Sequence, residues 1–530
     1  MIREITFAAA LAALACTAQA QTSPFASYKD QQAAMAAGTL TSEALVKAYL
    51  ARIDAIDRAG PKLNSVLSLN PHALADARKL DAERKAGKVR GPLHGIPVLL
   101  KDNIESADDT ATTAGSLALK DNVTGRDAPI VKRLTDAGAV IVGKTNLSEW
   151  ANFRSSRSIS GWSGVAGLVR NPYSLDRTAC GSSAGSGAAI AAGLATLAIG
   201  TETDGSVTCP AATNGLVGLK PTVGLVSRTY IVPISPEQDT PGPMTRYVAD
   251  AAAMLTVIAG SDPADPMTAQ ANAHKTDYLA ALDAKSLQGA RIGVLRMNQG
   301  RSSQTDQVFE TALAALKAAG AVLVEVKSPD EPTLGKVAAA EGEALRIEFK
   351  AALNGYLAGL PAAVKTRTLD DLIAFNAKEP RETPLFGQEI FEAAAKAPPI
   401  TDAGYLERRS TARTLSRDLL DKAFTENNLV ALVGPSTGPA SIVDPVNSPR
   451  GTGSYSTLPA VSGYPHLTLP MGFVSGLPVG ISFLGPAWSE AKLLSLGYAF
   501  EQATHARQDP PFLPNLAARP EIARAFDPPR

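Results

Sequence analysis

Thr178-Ala-Cys180-Gly181-Ser182-Ser183-Ala-Gly-Ser186-Gly-Ala-Ala-Ile190 runs through Leu194-Ala-Thr-Leu-Ala-Ile199 into Thr201-Glu-Thr203-Asp204-Gly205-Ser206. In order, this reads as a glycine-rich turn, a helix over about 184–195, a strand at Ala195–Ile199 and a second glycine turn. Ala184 to Gly200 is an uncharged run close to the length of a membrane span. Its small residues let a helix lie close against a sheet, and polar loops hem it on both sides. It therefore reads as buried helix and strand, not as a transmembrane segment.

The same alternation extends outward. Upstream, Thr41 can cap a helix whose apolar face carries Leu45, Tyr49, Ile53 and Ile56, ended by Gly60-Pro61. A second helix covers about 73–86. Ile96–Leu100 is a strand, Ile130–Ala137 a helix and Val140–Val142 a strand. Downstream come strand Leu216–Leu219, helix Val248–Ala259, strand Ile292–Leu295, helix Gln304–Ala318 and strand Val322–Val326. Residues 332–425 are mostly helical, with breaks at Gly359-Leu-Pro361 and Ala397-Pro-Pro399, and form an insertion or outer layer. Strands return at Leu429–Val433, Leu467–Leu469 and Val479–Phe483, before a closing helix from Glu490 to Ala503. This pattern predicts one large α/β domain, a mixed sheet flanked by helices, over residues 21–530.

Bulk properties narrow the function. The chain is 45% hydrophobic, and 51 Lys+Arg balance 51 Asp+Glu. Such neutrality gives no basic face for nucleic acid or an anionic membrane. Residues 1–20 read as an export signal: Arg3, an apolar run from Phe7 to Ala15, and the small-x-small site Ala18-Gln-Ala20. A periplasmic or secreted location follows as an expectation. Cys180 and Cys209 then remain, and are read as small packing residues in preference to a bridge. His72, His94, His274, His466 and His505 show no metal spacing, and no dinucleotide fingerprint appears. No cofactor or metal is expected.

The chemistry rests on three residues. A serine hydroxyl is a weak nucleophile until something takes its proton, and no histidine sits in a triad motif. Lys101 closes the apolar strand Gly95-Ile-Pro-Val-Leu-Leu-Lys101, where burial would favour its neutral form. Ser182 and Ser206 lie 24 positions apart in the two glycine turns. Successive amides in the Thr203–Ser206 turn can converge on one point, as an oxyanion hole requires. Each fragment also has a plainer reading: a surface lysine, a helix cap and an ordinary Asp-Gly turn.

Taken together, these fragments resemble the amidase signature family. The resemblance is carried by Lys101-Asp-Asn103, Asn146-Leu-Ser-Glu-Trp150, Gly181-Ser-Ser183, Gly205-Ser206, Cys209-Pro-Ala211, Gly218-Leu-Lys-Pro221, Gln238-Asp-Thr-Pro-Gly-Pro-Met244 and Gly476-Leu-Pro-Val-Gly480. It covers most of the chain. The phrases around Trp150, Trp162 and Cys180 look most like the bacterial peptide amidase branch. The resemblance implies amide hydrolysis by a Ser–cis-Ser–Lys triad: Ser206 as acylated nucleophile, Ser182 as bridge, Lys101 as base. The backbone amides of Thr203, Asp204, Gly205 and Ser206 would form the oxyanion hole. It further implies a small-molecule or peptide amide as substrate, most like a terminal carboxamide, and a monomer is expected. Three departures stand out: Cys180, Ala184 and Asp204 occupy positions where glycine is common in the family.

Other readings compete, the first of them an amidase of other specificity, for aryl or aliphatic amides. Gly181-Ser-Ser183-Ala-Gly185 and Gly434-Pro-Ser436-Thr-Gly438 fit a nucleophile elbow, with His466 as partner, but neither has the strand–turn–helix context of a true elbow. A glutamine-hydrolysing tRNA amidotransferase subunit would share the fold, and the export signal argues against it. A non-catalytic amide-binding protein would have no use for a buried lysine base.

Overall fold

The computed structural model describes residues 23–297, 300–447 and 454–526; the export signal read over residues 1–20 lies outside them. The strands are β1 Val66–Leu69, β2 Pro97–Lys101, β3 Val140–Thr145, β4 Trp162–Ser163, β5 Gly167–Leu168, β6 Leu197–Glu202, β7 Val217–Lys220, β8 Thr240–Thr245, β9 Arg291–Leu295, β10 Val322–Val326, β11 Ala431–Pro435, β12 His466–Val474 and β13 Leu477–Leu484. All but the small β4–β5 ribbon join one mixed sheet, ordered β1-β3-β2-β6-β8-β7-β12-β13-β11-β9-β10. Strand β2 lies parallel to both β3 and β6, with Leu100 opposite Ile199, while β8 runs antiparallel to β6 and β7. The carboxyl ends of β2 and β6 thus finish side by side, and they carry Lys101 and Thr201.

Apolar clusters cover the central strands from two sides. One gathers Val98, Leu100, Leu197 and Ile199 with the Val248–Ile258 helix. The other gathers Leu99, Val142 and Ala198 with the Ala184–Ala191 helix. Every residue of that second helix is buried. Only side chains as small as Gly, Ala and Ser let it pack so closely: a Cβ on Gly185 would strike the carbonyl oxygen of Asn146.

Two strands of the main sheet escape periodicity. Thr240-Pro-Gly-Pro-Met-Thr245 looks like a turn, yet it forms β8 between β6 and β7. Its neighbours supply the sheet context that its own composition lacks. Strand β1 is short and alternates poorly. Thr41 does cap a helix, accepting from the amide of Ala44, and that helix continues past Arg52 as a π-helical turn over Ile53–Arg58.

The helical region consists of helices Glu331–Ala358, Leu369–Asn376, Glu389–Ala395 and Ala403–Asn427. Phe391 packs edge-on against Trp150, and Phe349 and Leu353 belong to the same apolar cluster. Buried Arg154 pairs with Glu149 beside Trp150 and with Glu382 of the helical region. No helix among the described residues is long and apolar enough to cross a membrane.

Candidate active site

Lys101 ends β2 with its side chain fully buried. A buried ammonium or amine must have its hydrogen-bonding capacity met. Its Nζ lies 2.7 Å from Ser182 Oγ, 2.8 Å from Thr201 Oγ1 and 3.1 Å from the Thr201 carbonyl oxygen. Burial lowers its pKa to about 7, against the opposing pull of Asp239 and Glu202. A lysine in this state gives and takes a proton near neutrality.

Ser182 follows the cis peptide bond Gly181–Ser182. The turn is held from below by the Asn146–Trp150 segment. Ser148 donates its amide to the Ser182 carbonyl (3.0 Å), and Gly185 donates its amide to Asn146 (2.9 Å). Ser183 points elsewhere, its hydroxyl donating to the Thr201 carbonyl at 3.2 Å. It therefore has no histidine of the kind an esterase elbow would need.

Ser206 arrives from the other turn. The Ser183 amide donates to the Ser206 carbonyl (3.2 Å), which sets the two serine segments side by side. Ser206 Oγ has no hydrogen-bond partner among the described residues, and the residue is 8% exposed. The Lys101–Ser182 contact is thus a direct hydrogen bond, while the Ser182 and Ser206 segments are brought together through the backbone.

The turn between Glu202 and Ser206 is pinned residue by residue. Thr203 Oγ1 donates to Asp239 (2.6 Å), and Asp204 accepts from Thr457 (2.8 Å). Gly205 takes φ +76° against Ser456, where a Cβ would come within 2.9 Å of the Ser456 hydroxyl. Beyond the turn, the Glu202 carboxylate accepts from the amides of Val207 (2.8 Å) and Thr208 (3.0 Å). The amides of Thr203, Asp204, Gly205 and Ser206 have no acceptor among the described residues. Four consecutive unspent donors beside a free serine hydroxyl can stabilise a developing oxyanion.

The reading of the cysteines needs correcting: Cys180 and Cys209 form a disulfide, with Cα atoms 6.0 Å apart. It ties the Ser182 turn to the helix that follows Ser206. The linear sequence hides this, because the two segments become neighbours only when both turns meet at the carboxyl edge of the sheet. Cys180 also has φ +55°, in the left-handed region that favours glycine. That accounts for the glycine common at this position in the family.

The alternative Ser–His pair does not assemble. His466 lies 2.6 Å from Ser482 and reaches Ser436 only through that hydroxyl. All three are buried, and burial holds the imidazole neutral, with its pKa lowered to about 3.

Comparison with known proteins now fits the geometry. The family model described as Amidase matches residues 44–494. The chain belongs to the amidase signature family. A crystal structure of the peptide amidase from Stenotrophomonas maltophilia is 52% identical, covers 92% of this chain and 98% of that one, and superposes with a TM-score of 0.87. A peptide amidase complex with the competitive inhibitor chymostatin is 51% identical, covers 92% and 100%, and has a TM-score of 0.89. A probable amidase of Arabidopsis thaliana is 39% identical over 92% of each chain. The protein is an amide-hydrolysing enzyme of this family, with a single large α/β fold.

Two contributors at the site were not assigned from sequence. Thr201 holds the lysine through both its hydroxyl and its carbonyl, and Asp239 anchors the oxyanion turn. The signal for Thr201 lay in the requirement that a buried lysine find acceptors at a neighbouring strand end. Asp239 lies 33 positions beyond Ser206, inside the Gln238–Met244 segment that carries the family resemblance, but that segment gave no role for its carboxylate.

Proposed function

We propose that the enzyme removes the terminal carboxamide of peptides, releasing ammonia, through a relay of Lys101, Ser182 and Ser206. The observation that carries this reading is the 2.7 Å contact between the buried, readily deprotonated Lys101 Nζ and Ser182 Oγ. Neutral Lys101 accepts the Ser182 proton while Ser182 accepts the Ser206 proton and Ser206 Oγ attacks the amide carbon. The amides of Thr203 to Ser206 take the oxyanion. The proton then returns through Ser182 to the amide nitrogen, the C–N bond breaks, and ammonia leaves an acyl-enzyme on Ser206. Water, deprotonated through the same relay, attacks the ester and frees Ser206.

The terminal-carboxamide substrate rests on similarity to the peptide amidases. Export to an oxidising compartment is part of the same reading, supported by the leader-like residues 1–20 and by a disulfide of the kind rare in reducing cytosol. The decisive assay follows ammonia release from peptide amides with wild type and Ser206→Ala, together with mass analysis for an acyl adduct on Ser206. The variant is expected to lose activity by about 10^4-fold or more. Full activity in Ser206→Ala, or wild type that cleaves only esters, would defeat the reading.

A further inference from the structure

Beside the oxyanion turn lies a cavity of about 200 Å³. Thr201 and Thr203 form one wall, the Ile231–Pro236 loop another, and Ala352 of the helical region closes a third. Its polar groups are almost all spent on one another. Arg228 gives Nε and Nη2 to Asp265 (2.9 and 2.6 Å) and Nη1 to the Pro236 carbonyl. Asp239 is taken by the Thr203 hydroxyl (2.6 Å) and the amides of Ile234 and Ser235 (2.8 and 2.9 Å). What these walls offer a ligand is hydrocarbon from Ile231, Val232 and their neighbours. A charged group entering here would lose its hydration, and the one lining carboxyl with an unpartnered oxygen, Glu202, is itself pushed by burial towards its neutral form.

Two polar atoms are exceptions, Glu202 Oε1 and Asn103 Oδ1, both buried acceptors without a partner among the described residues. Asn103 is 4% exposed and lines the same cavity. Its Nδ2 donates to Thr201 Oγ1 at 3.0 Å, which leaves Oδ1 as a buried acceptor without a partner among the described residues. An orphaned buried acceptor calls for a donor, and an amide substrate carries N–H groups. The available space exceeds the roughly 150 Å³ apolar cavity known to admit a benzene molecule.

We propose that this cavity is a subsite for an uncharged apolar substituent of the amide substrate, up to the size of one aromatic ring, with Asn103 Oδ1 accepting an N–H of the same molecule. The inference rests on the amide-hydrolase reading and adds the substrate class. The apolar group has two possible origins, the acyl side or the amine side of the scissile bond, and the experiment separates them.

The test compares kcat/KM for acetamide, N-acetylphenylalaninamide and N-benzylacetamide in wild type and Ala352→Phe, which fills the cavity. Wild type is expected to prefer at least one ring-bearing amide over acetamide. In Ala352→Phe that preference should fall at least about tenfold, the size of effect that apolar pocket contacts give. A fall confined to N-acetylphenylalaninamide assigns the acyl side, and one confined to N-benzylacetamide the amine side. A merely structural lesion lowers all three rates together and leaves their ratios unchanged, which overturns the proposal. Ile231→Ala is the second variant: it enlarges the cavity and should raise the rate for a naphthyl analogue relative to phenyl, and an unchanged ratio counts against the subsite. Wild type inactive on every amide would defeat the hydrolase reading and this inference with it. Activity on acetamide with no ring preference would defeat this inference alone.

Discussion

Lys101 and Lys220 are both fully buried strand-end lysines in one sheet, and only the first is suited to act as a base. Burial pulls both down, Lys101 to about 7 and Lys220 to about 8. The difference lies in what each amine touches. Lys101 contacts the Ser182 hydroxyl, which has a proton to give. Lys220 donates to the Pro221 carbonyl (3.0 Å), which has none, and faces the carboxylates of Glu202, Glu490 and Asp204. A third buried lysine, Lys144, donates to the Ile104 carbonyl (2.5 Å) and to Thr112 Oγ1 (2.9 Å), with Asp102 nearby. Desolvation makes a lysine able to lose its proton; in the proposed relay, a hydroxyl beside the nucleophile makes that loss useful.

The strongest way to break this contrast is Lys101→Ala. Loss of a positioned general base should lower kcat by about 10^3-fold with the fold intact by circular dichroism. A variant that keeps its rate removes the lysine from the mechanism. The pH profile is the next test. The base must be uncharged, so wild-type kcat/KM should rise about tenfold per pH unit up to the Lys101 pKa of about 7, then level off. Residual activity in Lys101→Ala should lack that limb.

Asp239→Asn sharpens the comparison with a smaller effect. Asp239 favours the charged form of Lys101, so removing its charge should move the acid limb to lower pH. The weakened anchor on Thr203 should reduce kcat with little change in KM. An unmoved limb would mean that Glu202, the other carboxylate acting on Lys101, carries the electrostatic effect alone. Lys220→Met should disturb catalysis least. It strips Glu202 of a buried counter-charge and should lower stability by about 3 kcal/mol, read as a lower Tm. The acid limb set by Lys101 should persist, and its loss would show that the two lysines titrate as one system.

Much of this was legible in the chain because it depends on local pattern. The turn–helix–strand–turn of residues 178–206 could be read from glycine placement and small-residue content, and most other elements from period. Strand β8 could not, since Thr240 to Thr245 pairs only because β6 and β7 flank it. Lys101, Ser182 and Ser206 were identifiable from motif order. The groups that hold Lys101 and the Thr203 turn in place, Thr201 and Asp239, come from a neighbouring strand end and a distant loop.

The amino-acid sequence by itself determined the α/β class, the order of Lys101, Ser182 and Ser206 along the chain and the two glycine turns that carry the serines, because residue type and short-range spacing limit local backbone conformation. Tertiary structure alone decided which buried lysine meets a serine, that Cys180 bonds to Cys209, and that an apolar cavity opens beside the oxyanion turn. Those outcomes depend on desolvation and on contacts between segments far apart in the chain, which exist only once the sheet has brought its strand ends together.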